Sequence, residues 1–279
     1  MTLSAKSDTV KWYIQRNIEE VEFKEFKQAI ENYGDICIDF FHIPFDNAYP
    51  EIDFNYPAVF YCAGEVLDNL YAQGLPGVFY DSQSLDLEAV SLENADMMWN
   101  QPFLSGTFPQ LNDYLASHAI EKFFLRPAID NKRFGGMTLS RNQFSQWYEQ
   151  LMEIKDESPI LSERILASSL SLPEKEYRLL IHEGKVMTGS AYAIHGIKNM
   201  KGAIPQEVLV FAESFASKIK NPDIFMLDVA INQNKIGIIE MNGIHNAGVY
   251  GMDKNLWVKT LHNYAQKSYA LRQTKKMTI

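Results

Sequence analysis

Phe225-Met-Leu-Asp-Val-Ala-Ile231 and Lys235-Ile-Gly-Ile-Ile-Glu-Met-Asn242 are two strand-like runs joined by a tight turn, and they set Asp228, Glu240 and Asn242 among apolar neighbours. A buried, unpaired carboxylate is costly, so Asp228 and Glu240 require a cation, hydrogen-bond donors or a basic side chain. Residues i and i+2 of a strand share a face. Glu240 and Asn242 therefore project together, and the hairpin brings Asp228 opposite them. Neither strand core carries a basic residue to neutralise both acids, which favours a metal over a salt-bridge network. Three hard oxygen donors on one face suit Mg²⁺, an ion that keeps several waters and bridges to substrate phosphates.

Working outward, the 279 residues with 46% hydrophobic and 13% aromatic content are enough for one large or two modest domains with a real core. The 26 basic residues against 35 acidic ones give a net charge of -9, which argues against a broad nucleic-acid footprint. Cys37 and Cys62 are the only cysteines and lie in apolar runs, so no disulfide framework is expected. Met1 to Lys11 lacks the apolar region of a secretion signal, and no stretch approaches the roughly 20 apolar residues of a spanning helix. The expected setting is the cytoplasm, without a membrane partner.

Toward the N-terminus, Thr9 to Gln15 alternates like a strand, and Glu19 to Tyr33 carries Val21, Phe23, Phe26, Ile30 and Tyr33 at helical spacing, ended by Gly34. Asp35 to Ile43 and Ala58 to Cys62 read as strands, Glu65 to Gln73 as a helix, and Gly77 to Tyr80 as a fourth short strand. This alternation predicts a small parallel α/β domain over 1–108, with Asp81 to Pro109 as a helix and loop at the joint.

Beyond Glu121 the pattern changes. Lys122 to Pro127 is a strand ending at a basic residue, Asn131-Lys-Arg-Phe-Gly-Gly136 a basic glycine loop, and Met137 to Leu139 a strand. An amphipathic helix is expected from Arg141 to Ile154. Pro159 to Leu166 reads as a strand, and Glu176 to His182 with Lys185 to Ile194 as a hairpin turning at Glu183-Gly184. Helices are expected at 206–219 and 255–269. The fold class is α/β (α+β), with antiparallel sheets in the 109–279 half. Trp12, Tyr13, Trp99 and Trp147 read as core or interface aromatics.

This order of parts resembles the ATP-grasp superfamily over Glu121 to about Asp253. In that family a pre-ATP-grasp α/β domain precedes an ATP-grasp domain of two antiparallel-sheet subdomains, which implies a lid at about 121–160 and a core at about 161–279. Leu125-Arg126-Pro127 stands where the family has a lysine and proline ahead of its phosphate loop. Arg126, followed by Lys132 and Phe134, is similar to a phage and bacterial clade named for one arginine and two lysines, whose members are inferred to be peptide-forming ligases. The resemblance implies ATP held by Arg126, Lys132, Gly135, Gly136, Glu163, Ile165, Leu166 and Glu176. Within that set Glu163 would face the adenine amino group, the Ile165 and Leu166 backbone would form the hinge, and Glu176 would hold the ribose. Arg178 would clamp phosphate or substrate, and Asp228, Glu240 and Asn242 would hold Mg²⁺. Met226 stands where the family often has an arginine, a place Arg178 can fill. Lys198 and Lys201 are candidates for the second lysine.

Chemically, a triphosphate needs cations on both sides of the transfer coordinate. Arg126, Lys132 and Arg178 supply them as the expected catalytic groups, and no side-chain nucleophile is required; the chain carries no Gly-x-Ser-x-Gly elbow. The leading expectation is an ATP- and Mg²⁺-dependent carboxylate–amine ligase working through an acylphosphate, with small-molecule or peptide substrates. A homodimer is among the expected assemblies. A nucleotide-binding module with reduced catalysis and an ATP-dependent phosphotransferase are the alternatives. A Rossmann dehydrogenase is disfavoured, because no Gly-x-Gly-x-x-Gly follows a strand. His245 and Tyr250, just past the acidic strand, are candidates for the substrate end.

Overall fold

The computed structural model describes residues 8–16, 20–41, 50–80, 85–129, 134–154, 159–200, 202–245 and 247–276. Strands β1 (Lys11–Gln15), β2 (Ile36–Phe40) and β3 (Ala58–Tyr61) form a parallel sheet in the order β2-β1-β3, with helix α1 (Glu20–Tyr33) between the first two and α2 (Gly64–Ala72) after the third. The expected fourth strand at Gly77 to Tyr80 is absent. Gly77 adopts φ +87°, and a Cβ there would lie 2.6 Å from the Ala58 carbonyl oxygen, so the chain crosses β3 too closely and at the wrong angle to pair with it.

The joint holds more structure than a helix and a loop. After α3 (Leu87–Glu93), Trp99 runs beside a later strand, and β4 (Phe103–Gly106) then enters a four-stranded antiparallel sheet ordered β4-β7-β5-β6. The other members are β5 (Lys122–Pro127), β6 (Met137–Ser140) and β7 (Ile165–Ser168). Helices α4 (Phe108–Ser117) and α5 (Arg141–Glu153) cover one face through Phe108, Leu111, Phe144, Leu125 and Ile165. Each helix starts at a reciprocal cap, Thr107 with Gln110 and Ser140 with Gln143. The strand expected over Pro159 to Leu166 is displaced: residues 159–162 make a 3-10 turn and β7 continues through Ala167 and Ser168. All four β7 residues are buried, because helices cover one face and the cleft the other. Small residues fit that position, yet in the sequence they resemble a loop.

The five-stranded antiparallel sheet is ordered β10-β9-β8-β11-β12, from β8 (Lys175–His182), β9 (Lys185–Ile194), β10 (Ile197–Lys198), β11 (Ile224–Asn232) and β12 (Lys235–Asn242). The β8–β9 turn sits at Glu183 and Gly184, both at positive φ, as its sequence required. Helix α6 (Gln206–Ala216) and the long α7 (Lys254–Lys276) pack against the sheet region. The core of this sheet is continuous with that of the parallel sheet through Trp257, whose ring lies 5.7 Å from Trp12 and 4.9 Å from Phe26. Among the described residues no helix is long and apolar enough to cross a membrane.

Candidate active site

The acidic hairpin forms as its pattern requires. Asp228 pairs with Glu240 across β11 and β12, Met226 with Asn242, and a bulge follows Asp228. What neutralises the acids comes from neighbouring strands, and this corrects the reasoning that no basic residue is near. Arg178 on β8 is in register with Asp228, and its Nε and Nη2 donate to both carboxylate oxygens at 2.7 and 2.6 Å. Arg126, at the end of β5, crosses from the other sheet. Its Nη2 donates to Glu240 Oε2 at 2.6 Å and its Nη1 to the Ile239 carbonyl at 3.2 Å. Asn242 Nδ2 donates to Glu240 Oε1 at 2.8 Å, which orients the amide. A two-strand reading could not see either arginine, because register between non-adjacent segments is a tertiary property.

Desolvation strongly affects this cluster. Asp228 is 1% exposed, and burial pushes its carboxyl up to about 6 against the pull of Arg178. Burial also works against the Arg178 cation, but attraction and hydrogen bonding to Asp228 outweigh it, so its pKa rises. Tyr250 and Tyr192 flank the guanidinium at 4.9 and 5.5 Å and stack on each other at 5.4 Å. Lys198 sits 5.6 Å over the Tyr250 ring, so of the two candidates for the second lysine it is the one seen beside the cluster. Lys132 and Lys201 lie outside the described residues.

Among the described residues no three His, Cys, Asp or Glu side chains converge as a metal site. The donor set at the cleft is instead two carboxylates and an amide, and its chemistry fits a hard cation. All three are oxygen donors from one sheet face, and Glu240, the most accessible of them, opens to the other sheet.

Of the nucleotide candidates, Glu176 accepts a 2.6 Å hydrogen bond from Tyr192 and sits two residues before Arg178 on β8. Glu163 is half-buried in the turn before β7. Ile165 and Leu166 lie inside β7, flanked by β4 and β5, so the chain leaves the sheet only at Ser169. There Trp99 Nε1 donates to Ser171 O, and Trp99 N to Ile238 O, tying this exit to β12. Gly136 is needed for packing, since a Cβ would lie 2.6 Å from the Phe124 ring, whereas Gly135 faces open space.

Sequence reading missed the residues between the sheets. Phe103, Phe124, Leu166, Ser168 and Ile239 enclose, with Arg126, a cavity of about 20 Å³. Phe124 was legible in principle, because it precedes Arg126 by two in a strand and shares its face. Arg126 Nε and Ser168 Oγ are buried there without partners among the described residues. The volume admits about one water, so a planar ring enters only if the sheets part.

His245 points away from the cleft. Its Nδ1–H donates to Phe60 O, its Nε2 accepts from Phe79 N at 3.5 Å, and its own carbonyl accepts from Cys62 N, so it pins the loop after β12 to β3. Burial pushes its pKa down to about 4, partly opposed by the Phe60 bond. The unfolded chain takes up this proton near pH 6.5 and the folded chain near 4. Stability is therefore complete above about 6.5 and is lost as pH falls toward 4, by about 3 kcal/mol. Denaturant melts at pH 7 and pH 4.5 should show a smaller acid-induced loss in His245→Gln than in the wild type; equal losses would exclude His245 as the titrating group.

The family model that matches describes an ATP-grasp domain, family 2 of the clade named for one arginine and two lysines, and it covers residues 101–260. Among curated proteins none matches the chain in sequence. Solved structures do match in shape. A D-alanine–D-alanine ligase from Bacillus anthracis superposes with TM-score 0.60 at 10% identity, covering 96% of this chain and 99% of that one. The D-cycloserine synthetase DcsG gives 0.60 at 11%, covering 92% and 99%. The ATP-grasp ligase PsnB, solved with the precursor peptide PsnA2 and AMPPNP, gives 0.53 at 11%, covering 95% and 100%. At these identities the likeness establishes the fold.

Proposed function

Because the chain belongs to the ATP-grasp domain family, in the clade named for one arginine and two lysines, we propose that it is an ATP-dependent ligase that joins a carboxylate to an amine, with a peptide as one substrate. The observation that carries this reading is the charged cluster where the two antiparallel sheets meet, with Arg126 reaching 2.6 Å from one sheet to Glu240 on the other. A nucleotide between the sheets would place its base against Phe124, Leu166 and Ile239, and its phosphates among Arg126, Arg178 and Lys132. In this reading the four-stranded sheet is the lid, and 1–108 contributes to the acyl-substrate side.

The resting ion pairs have a direct role in this mechanism. Arg126 holds Glu240 while no phosphate is present; a polyphosphate draws the guanidinium to itself through bidentate, charge-assisted bonds and frees Glu240 toward Asn242. Asp228, Glu240 and Asn242 would then hold Mg²⁺, which when bound neutralises phosphate charge and orients the γ-phosphoryl group. Arg178, fixed by Asp228 and the two tyrosines, keeps a positive charge beside the transfer coordinate. A substrate carboxylate oxygen attacks the γ-phosphorus, ADP leaves, and the amine then displaces phosphate from the acylphosphate carbonyl. Closure of the sheets excludes water from that intermediate. Cys62, with its pKa pushed up to about 12 by burial, is unsuited to act as a nucleophile.

Phosphate release assayed with acid and amine pools singly and together tests the proposal. Release is expected only when both are present. Phosphate transfer to one acceptor with no amine required would show a phosphotransferase instead.

A further inference from the structure

A second cavity, of about 360 Å³, lies on the opposite side of the four-stranded sheet from the cleft. Edge strand β4, the C-terminal half of α4, the start of β5 and Ser169–Leu170 bound it. Leu104, Phe123 and Ala167 face α4, whereas Phe124, Arg126 and Leu166 face the cleft. Phe103 and Ser168 border both cavities, so a single layer of side chains separates them. A hollow of about 120 Å³ continues along β4 and shares Leu104, Leu111 and Tyr114 with the larger one.

The wall chemistry is nearly uniform. Leu104, Leu111, Leu115, Ile120 and Phe123 make it apolar, and Leu170 at the rim is left 40% exposed. Water held against such walls is readily displaced by an apolar body, and the volume falls in the range of small-molecule sites. One charge breaks the pattern. Lys122 lines the cavity at the exposed start of β5 and forms no ion pair among the described residues. Tyr114, half-buried and stacked on His118 at 3.8 Å, supplies a further polar edge.

We propose that this cavity binds an amphipathic anion, an apolar chain or ring bearing one carboxylate, with its body among Leu111, Leu115 and Phe123 and its carboxylate on Lys122. An ammonium at the rim selects an anion over a cation, and the single charge selects a monocarboxylate over a polyphosphate. The site is independent of the ligase reading, because none of its residues is assigned there to phosphate, metal or the transferred group.

Isothermal titration of the full chain with sodium decanoate below its micellar concentration, and with 1-decanol as neutral counterpart, tests it. Saturable decanoate binding, one molecule per chain, is expected. Lys122→Glu should weaken decanoate about fivefold, the size of a solvent-exposed charge reversal, and leave decanol unchanged. Leu104→Trp fills the junction of the two hollows and should abolish both while circular dichroism reports a native fold. No saturable heat, equal decanoate affinity in Lys122→Glu, or undiminished binding by folded Leu104→Trp would each overturn the proposal. Should Leu104→Trp not fold, displacement of 1-anilinonaphthalene-8-sulfonate by decanoate from wild type and Lys122→Glu decides it alone: weaker displacement in the variant supports the site, and equal displacement refutes it.

Discussion

Arg178→Met is expected to cost about 3–5 kcal/mol of stability and to lower the melting temperature on the order of 10 °C. The reason is the state it leaves behind: Asp228, 1% exposed, loses both hydrogen bonds to its carboxylate and has no water to replace them. The pair itself is worth far less than this figure, since two buried ions in an apolar sheet roughly break even with hydrophobic replacements. The double variant Arg178→Met with Asp228→Leu should therefore recover most of the loss. Calorimetry on the three proteins measures this. A single variant within about 1 kcal/mol of wild type, or a double variant as unstable as the single, would show that Asp228 finds another partner.

Glu240→Gln carries the largest expected effect on activity. Glutamine keeps an oxygen for the Arg126 guanidinium and keeps the side-chain shape, so the two sheets should still meet. It removes one unit of charge from the proposed metal-binding face. Losing an outer partner of a metal typically costs 10–100-fold, so losing a direct carboxylate should reduce turnover by more than about 100-fold. A substrate-free readout is also available. Mg·ATP at about 100 times its dissociation constant should stabilise the wild type by about 2.7 kcal/mol, and ATP in excess EDTA by clearly less. In Glu240→Gln that difference should vanish. Equal shifts with and without EDTA in the wild type would remove the metal assignment and leave Arg126 and Arg178 as the phosphate ligands.

Most elements were legible because local periodicity and turn chemistry agree with the fold. The helix at Arg141 starts where Ser140 and Gln143 cap it, and the β8–β9 hairpin turns where Glu183 and Gly184 tolerate positive φ. Elements were misread where burial came from elsewhere. Ala167 and Ser168 look like loop residues but lie in the interior of a covered sheet, and Phe103 to Gly106 looks like a connector but pairs with β7. Gly77 to Tyr80 looks like a strand but is held off β3 by a glycine turn.

For the site, the sequence by itself determined the acidic hairpin, since alternation in adjacent strands places Asp228, Glu240 and Asn242 together whatever surrounds them. It also singled out Arg126, Arg178 and the order of parts that marks the family. Only the tertiary structure decided which cation meets which acid. Arg178 lies 50 residues from Asp228, and Arg126 lies 114 from Glu240. The first pairing depends on β8 lying beside β11 in one register, the second on how one sheet packs over the other. Neither is encoded in the spacing along a single strand, because a strand's period fixes only the face on which a side chain projects and leaves open what lies opposite.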